Sequence, residues 1–117
     1  MSFRAQIDAI CIGLPGAEKS DPWGGGHDAW KVGDKMFACI GSAGAGVSVK
    51  CADVETAQML IETGVGIKAP YFHRSWVLLP EETEPEEIRF RLTRSYDLIR
   101  SKLPKKLQAT LSPRETD

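Results

Sequence analysis

The segment from Lys68 to Trp76, which reads KAPYFHRSW, concentrates side chains that can bind an anion or stack on a flat ring. It supplies five candidate binding residues, which are Lys68, Tyr71, His73, Arg74 and Trp76. Cations of this kind contact phosphate groups, and exposed aromatic rings stack on nucleobases. The segment is therefore a candidate nucleic-acid-binding site, and we expect its lysine, histidine and arginine at the surface.

Two aromatic residues of this segment have a structural alternative. A tryptophan that begins an apolar strand usually packs inward, so we expect Trp76 to lie in the core. Tyr71 has the same alternative, with Arg74 as a structural hydrogen-bond donor. Either reading leaves Lys68 and His73 available for binding.

Lysines elsewhere in the chain extend the candidate surface. Lys102, Lys105 and Lys106 lie at the end of the last predicted helix, and Lys31 and Lys35 flank a predicted hairpin turn. Cations at a helix C-terminus also stabilise the helix by about 0.3–1 kcal/mol each, so stability alone is an alternative explanation. A nucleic-acid footprint requires these residues to converge on one surface.

Charge is unevenly distributed along the chain, although the net charge is only −1. Residues 1–66 carry five lysines and arginines against eight acids, and residues 67–117 carry ten against eight. Between positions 89 and 106, seven cations accompany a single acid, Asp97, and five glutamates lie between positions 81 and 87. The C-terminal half therefore has the field that attracts phosphate or an acidic partner.

The sequence gives catalysis and metal binding little support. His27 and His73 are the only histidines, and neither belongs to a His-Glu-x-x-His motif or accompanies a nucleophile elbow. A long-range pairing of either histidine with Cys51, Ser75 or Glu18 is the open alternative. We predict a protein without catalytic residues, metal ligands or cofactor.

The remaining motifs favour ordinary structural roles. The spacing around Gly24–Gly26 matches no phosphate-binding loop, which indicates a turn that enters a hairpin. Three cysteines at wide spacing, Cys11, Cys39 and Cys51, are typical of small buried residues. With no signal-peptide pattern and no long apolar run, we expect a cytoplasmic protein without membrane association.

Length and composition predict one compact domain. The chain has 117 residues, of which 42% are hydrophobic and 26% charged, enough for a core without disulfides or metal. We assign residues 1–111 to this domain and expect residues 112–117 to form a polar, frayed tail.

Helix and strand signals alternate along the chain. We predict a helix over 3–12 capped by Ser2, strands over 29–32, 35–40 and 47–50, a short helix after Asp53, a strand over 76–79, and a long helix that begins at a Thr83–Glu86 capping box and ends before Pro104. Residues 18–21 are expected to form a polar loop, the strand over 47–50 to be half-exposed, and residues 105–107 to leave the last helix as an exit segment. This order predicts an α+β domain with helices against one antiparallel sheet.

Several short motifs, taken in order and spacing, resemble the MmcQ/YjbR family. They are LPGAE at 14–18, PWG at 22–24, WKVGDKMFA at 30–38, VKC at 49–51, APY at 69–71, Arg74, WV at 76–77, SYDL at 95–98 and KLPKK at 102–106. The likeness spans residues 3–107, nearly the whole chain.

The resemblance implies a CyaY-like two-layer fold and DNA binding of the double-wing kind. Strand and loop surfaces, rather than an inserted recognition helix, would then meet the duplex. A protein-interaction or small-ligand module, whose ligand is an acidic protein or a metabolite, is the alternative function. Iron binding, which a CyaY-like fold suggests, lacks its acidic ridge, because the first helix offers only Asp8.

Overall fold

The computed structural model describes residues 2–114. Within them lie the helices α1 (Phe3–Cys11), α2 (Val54–Glu62), α3 (Pro85–Ser101) and α4 (Lys105–Gln108), and the strands β1 (Ala17–Ser20), β2 (Asp28–Val32), β3 (Lys35–Ile40), β4 (Gly46–Lys50), β5 (Ile67–Lys68) and β6 (Trp76–Pro80). No helix in these residues is long and apolar enough to cross a membrane.

The six strands form one antiparallel sheet in the order β1-β2-β3-β4-β6-β5. Buried residues of α1, α2 and α3 join a single apolar cluster with one face of this sheet. The predicted α+β architecture, with helices packed on an antiparallel sheet, is confirmed.

Strand alternation divides the sheet into a helix-covered face and an open face, because paired residues share a face and successive residues alternate. The helix-covered face carries Val47, Val49, Val77 and Leu79, which are fully buried. The open face carries a row of paired residues that crosses all six strands: Ser20, Ala29, Cys39, Ser48, Leu78 and Ile67.

Helix α3 is held to the middle of the sheet by Ser95 and Tyr96. A bulge in β3 leaves Phe37 without a partner on β2, and its carbonyl accepts a hydrogen bond from the Ser95 hydroxyl at 2.6 Å. The same hydroxyl accepts a hydrogen bond from the Lys50 backbone N–H at 2.9 Å. Tyr96 is fully buried, meets the Phe37 ring edge to face and donates to the Pro15 carbonyl at 2.6 Å.

Two predicted irregular segments are in fact regular. Residues 17–20 form the edge strand β1, not a polar loop, because an edge strand with one pairing partner tolerates exposed Glu18 and Lys19. The exit segment after Pro104 forms the short helix α4. Neither segment has the apolar periodicity from which regular structure is recognised.

Two other expectations were wrong in detail. Strand β4 is buried up to Val49, not half-exposed, because β3 and β6 flank it and Ser48 lies between Cys39 and Leu78. The predicted capping box at α3 does not form. Helix α3 begins after Glu84 without a side-chain cap, and Thr83 instead closes a turn onto the Pro80 carbonyl.

The described part of the C-terminal tail contacts the domain. The Arg100 guanidinium donates to the Ser112 carbonyl at 2.8 Å, and Arg114 pairs with Asp97 at 2.7 Å. Residues 115–117 of the predicted frayed tail lie outside the described residues, and fraying stays a prediction.

Replacing Ser95 by alanine should destabilise the fold by about 1–3 kcal/mol, because a buried carbonyl and a buried N–H lose their shared partner. Urea unfolding followed by circular dichroism measures this difference. Ser101→Ala is the matched control on the same helix, since the Ser101 side chain is exposed and bonds only its own helix, and it should cost less than about 0.5 kcal/mol. Equal costs for the two variants would contradict the bridging role of Ser95.

Candidate nucleic-acid interface

Antiparallel pairing brings the candidate residues of β2, β3, β5 and β6 to one end of the sheet. Val32 pairs with Lys35, Lys50 with Trp76, and Lys68 with the next residue of β6. The β2–β3 turn and the connection over residues 69–75 therefore project from the same end. We call it the basic end.

The C-terminal part of the helical layer reaches the same end. The side chains of Leu103 and Leu107 pack against the backbone of Gly33 in the β2–β3 turn, so closely that a Cβ on Gly33 would lie 2.8–2.9 Å from them. Gly33 also adopts φ +56°, a conformation that favours glycine. This contact places α4 and the end of α3 beside the hairpin.

All ten candidate residues therefore lie at or next to the basic end: Lys31, Lys35, Lys68, Tyr71, His73, Arg74, Trp76, Lys102, Lys105 and Lys106. They do not share one face of the sheet. Lys31 and Trp76 belong to the open face, and Lys68 aligns with Val77 of the helix-covered face at the β5 edge. The surface that they form wraps around the sheet end.

Trp76 does not pack in the core, contrary to expectation. Val77 and Leu79 are the inward residues of β6, so alternation directs Trp76 to the open face. Its indole is half-buried and stacks on the Phe72 ring, with ring centroids 4.6 Å apart and planes 21° from parallel. The segment thus ends in a stacked aromatic pair at the sheet surface.

Tyr71 is also outside the core. Its side chain is fully exposed, at 106% of the reference area, and its backbone has φ +70°. Bulky residues rarely adopt a positive φ, because the Cβ crowds the backbone there. The core alternative for Tyr71 is therefore wrong, and the ring extends into solvent.

Sequence reasoning missed Lys50, which lies at the centre of the basic end. Its ammonium donates a 2.6 Å hydrogen bond to the Ser75 hydroxyl, and the Nδ1 atom of His73 lies 2.9 Å from that hydroxyl. The Ser75 backbone N–H donates to the same Nδ1 at 3.1 Å. Lys50 ends a strand as an alternating polar residue, and only its pairing with β6 reveals these neighbours.

Electrostatic interactions disfavour the charged form of Lys50. Desolvation lowers the pKa of Lys50 from its ordinary value of 10.5, and the nearby Lys102 ammonium lowers that pKa further. An anion bound at this place would offset both effects, because its charge favours the protonated lysine.

Cations at the basic end lack acidic partners in the described chain. Among residues 2–114, no ion pair within 4.0 Å involves any of the eight, which are Lys31, Lys35, Lys50, Lys68, Arg74, Lys102, Lys105 and Lys106. Acids lie in the elements of this end too, among them Glu18, Asp34, Asp53 and Glu55. The basic end therefore carries an excess of positive charge that the fold itself does not neutralise.

The opposite end of the sheet is acidic. The connection from β6 to α3 and the first turn of α3 lie there, and Glu82, Glu84, Glu86 and Glu87 line a groove with Gly64 and Val65, which follow α2. The uneven charge along the sequence thus becomes a separation of charge along the sheet.

The geometry gives little support to a catalytic pairing of the two histidines or to a phosphate-binding glycine loop. His27 lies in the β1–β2 connection at the acidic end, far from His73, and its ring faces Trp23 and the Gly24 carbonyl. The Asp21 carboxylate accepts hydrogen bonds from the backbone N–H groups of Gly26 and His27. These bonds close the glycine run into a turn.

Thiol and metal chemistry have no assembled site in the described residues. Cys11, Cys39 and Cys51 are free and buried, and burial raises the pKa of each thiol. Within residues 2–114, no three His, Cys, Asp or Glu side chains are grouped to hold a metal ion.

Comparisons with known proteins identify a matching family model and a protein of similar fold. A family model described as YjbR matches residues 12–98. The crystal structure of Deinococcus radiodurans protein DR2400, which has a DUF419 domain, is similar with a TM-score of 0.79 and 20% sequence identity. The alignment covers 89% of this chain and 83% of that chain, and at this identity it shows the fold alone. A search of curated proteins found no match.

Lys102→Gln should raise the pKa of Lys50 toward its ordinary value, because a like charge is removed. An NMR titration of the Lys50 side-chain Cε signal measures the change, with Lys105→Gln as the control. The folded state lowers this pKa, so the unfolded chain binds more protons at alkaline pH, and the cost of charged Lys50 decreases as pH rises through the folded-state value. An unchanged Lys50 pKa in Lys102→Gln would contradict the proximity of the two ammonium groups.

Proposed function

The chain belongs to the YjbR family, and we propose that it is a DNA-binding protein whose contact surface is the basic end of its sheet. The observation that best supports this function is the cluster of eight cations without an acidic partner in residues 2–114. Lysine and arginine contacts to phosphates supply most of the affinity in non-specific DNA binding. The basic end offers such contacts. Its local charge is positive, although the net charge of the whole chain is slightly negative.

Strand ends and loops, rather than a helix, make this contact. Helix α3 buries Ile88, Leu92, Tyr96 and Ile99 against the sheet and Leu103 follows them into the core, so α3 cannot leave the domain to enter a groove. Helix α4 has four residues. The β2–β3 turn and the 69–75 connection both lie at the basic end and carry exposed residues, among them Asp34 and Tyr71, which suits the double-wing mode that the family resemblance implied.

The geometry also supports a role without catalysis. Ser75 is the hydroxyl nearest to a histidine, but it is only 3% exposed and bonds to Lys50. A substrate carbonyl would not reach it. The Lys50–Ser75–His73 contacts serve instead to fix the direction of the ammonium and the imidazole at the surface.

A module that binds an acidic protein is the alternative, because carboxylates suit the same cations and fully exposed Tyr71 suits a protein contact. Capture of an acidic partner, with DNA inert at low salt, would favour this alternative. A small ligand would be recognised by thermal stabilisation under the same conditions.

DNA affinity should fall with salt in proportion to the phosphates contacted, with a logarithmic slope of about −0.9 for each contact on duplex DNA. Replacing Lys68, Arg74 and Lys102 together by glutamine should make the slope shallower by about 2.7 if each contacts one phosphate. Fluorescence anisotropy of a labelled duplex, repeated across a salt series, measures the slope.

Arg89→Gln is the matched control, since Arg89 is exposed near the start of α3 at the acidic end, and it should leave the slope unchanged. Failure of the unmodified protein to retain either duplex or single-stranded DNA at low salt would refute the proposed function. An equal effect of Arg89→Gln and the triple variant would refute the assignment to the basic end.

A further inference from the structure

The aromatic residues at the basic end have no role in phosphate binding. We propose that Tyr71, Phe72 and Trp76 form a stacking surface for unpaired bases, so that the protein prefers single-stranded over duplex nucleic acid. This inference rests on the proposed function and specifies its ligand.

Tyr71 carries the inference furthest. In residues 2–114, Tyr71 and Asp34 are the two non-glycine residues with positive φ, and aspartate adopts this conformation far more readily than a bulky residue. The Tyr71 ring gains nothing in return, because it is fully exposed and no hydrogen bond or ring contact of it is found in that part of the chain. The fold would be served better by glycine or asparagine, so the exposed ring serves an external ligand.

Phe72 and Trp76 supply a second, preformed surface. Their stacked arrangement fixes both rings without burying either completely, and Trp76 lies on the open face. Lys50 is the cross-strand partner of Trp76, so a cation lies beside the aromatic pair. A base stacked on a ring and its own phosphate on a neighbouring lysine is the combination that single-strand-binding surfaces use.

The basic end of the sheet offers a route from this aromatic pair toward Lys31. Trp76 and Lys31 lie on the open face near the same sheet end, separated by β4 and β3, a span of roughly 14 Å at about 4.8 Å per strand. The row behind them, which contains Ser48 and Cys39, is buried, so the accessible path between Trp76 and Lys31 runs along the end of the sheet. A flexible single strand can follow this surface, whereas the faces of paired bases in a duplex are inaccessible to the rings.

The test compares a labelled 20-nucleotide oligo-dT with a duplex of the same length, by fluorescence anisotropy at one low salt concentration. Unmodified protein should bind the single strand more tightly. Tyr71→Gly should weaken single-strand binding by about 5- to 150-fold, the loss expected for one base–aromatic stack, and weaken duplex binding by a clearly smaller factor, because paired bases do not stack on the ring. Phe72→Leu, which keeps an apolar side chain over Trp76, should weaken single-strand binding in the same sense.

Trp23→Ala is the matched control, because Trp23 is an aromatic residue with 59% exposure at the opposite end of the sheet, and it should change neither affinity. Thermal unfolding separates a structural role from a binding role. Since glycine adopts positive φ without strain, Tyr71→Gly should melt at the same temperature or higher.

The inference is overturned if Tyr71→Gly binds the single strand as tightly as unmodified protein, if the duplex is preferred, or if Tyr71→Gly melts at a lower temperature. The proposed function would still hold after any of these results if the protein binds duplex DNA in a salt-dependent way and the triple cation variant weakens that binding. Absence of binding to both ligands would remove the two together.

Discussion

The position of α3 depends on one hydroxyl group. Ser95 accepts from the Lys50 backbone and donates to the Phe37 carbonyl, which lets β3 and β4 diverge at the basic end without unpaired backbone groups. Tyr96 then fixes the rotation of the helix through Phe37 and Pro15. With the helix held there, its C-terminal lysines can lie only beside the β2–β3 turn, so a buried bond determines where surface charge is presented.

The antiparallel strand order determines which charged residues lie at each end of the sheet. Two chain reversals at one end of the sheet, the β2–β3 turn and the 69–75 connection, are accompanied by cations, whereas the β6–α3 reversal at the other end carries glutamates. The site is thus a property of the strand order and not of one segment. The 68–76 segment alone supplies its aromatic rings and a minority of its cations.

Much of the fold was predictable because its signals are local. The apolar periodicity of α3, the Ser2 and Asp53 caps and the alternation around Lys35–Ile40 all identified their elements. Strand β1 escaped because an edge strand satisfies its polar residues in water and needs no apolar alternation. Trp76 was misplaced because the parity of β6 is set by Val77 and Leu79, and Lys50 was missed because its contacts join residues 25 positions apart. Register decides both, and register is a long-range property.

The separation of acidic and basic ends gives the molecule an electric dipole, although the net charge is only −1. In the field of any polyanion, such a protein is turned before it is attracted, because torque acts on the dipole while the monopole term is slightly repulsive. The field is screened beyond about 8 Å at physiological salt, so orientation happens only in the last approach. If the protein binds DNA through its basic end, as proposed, the bound copy presents its glutamates to solvent, and the coated polymer keeps a negative outer surface.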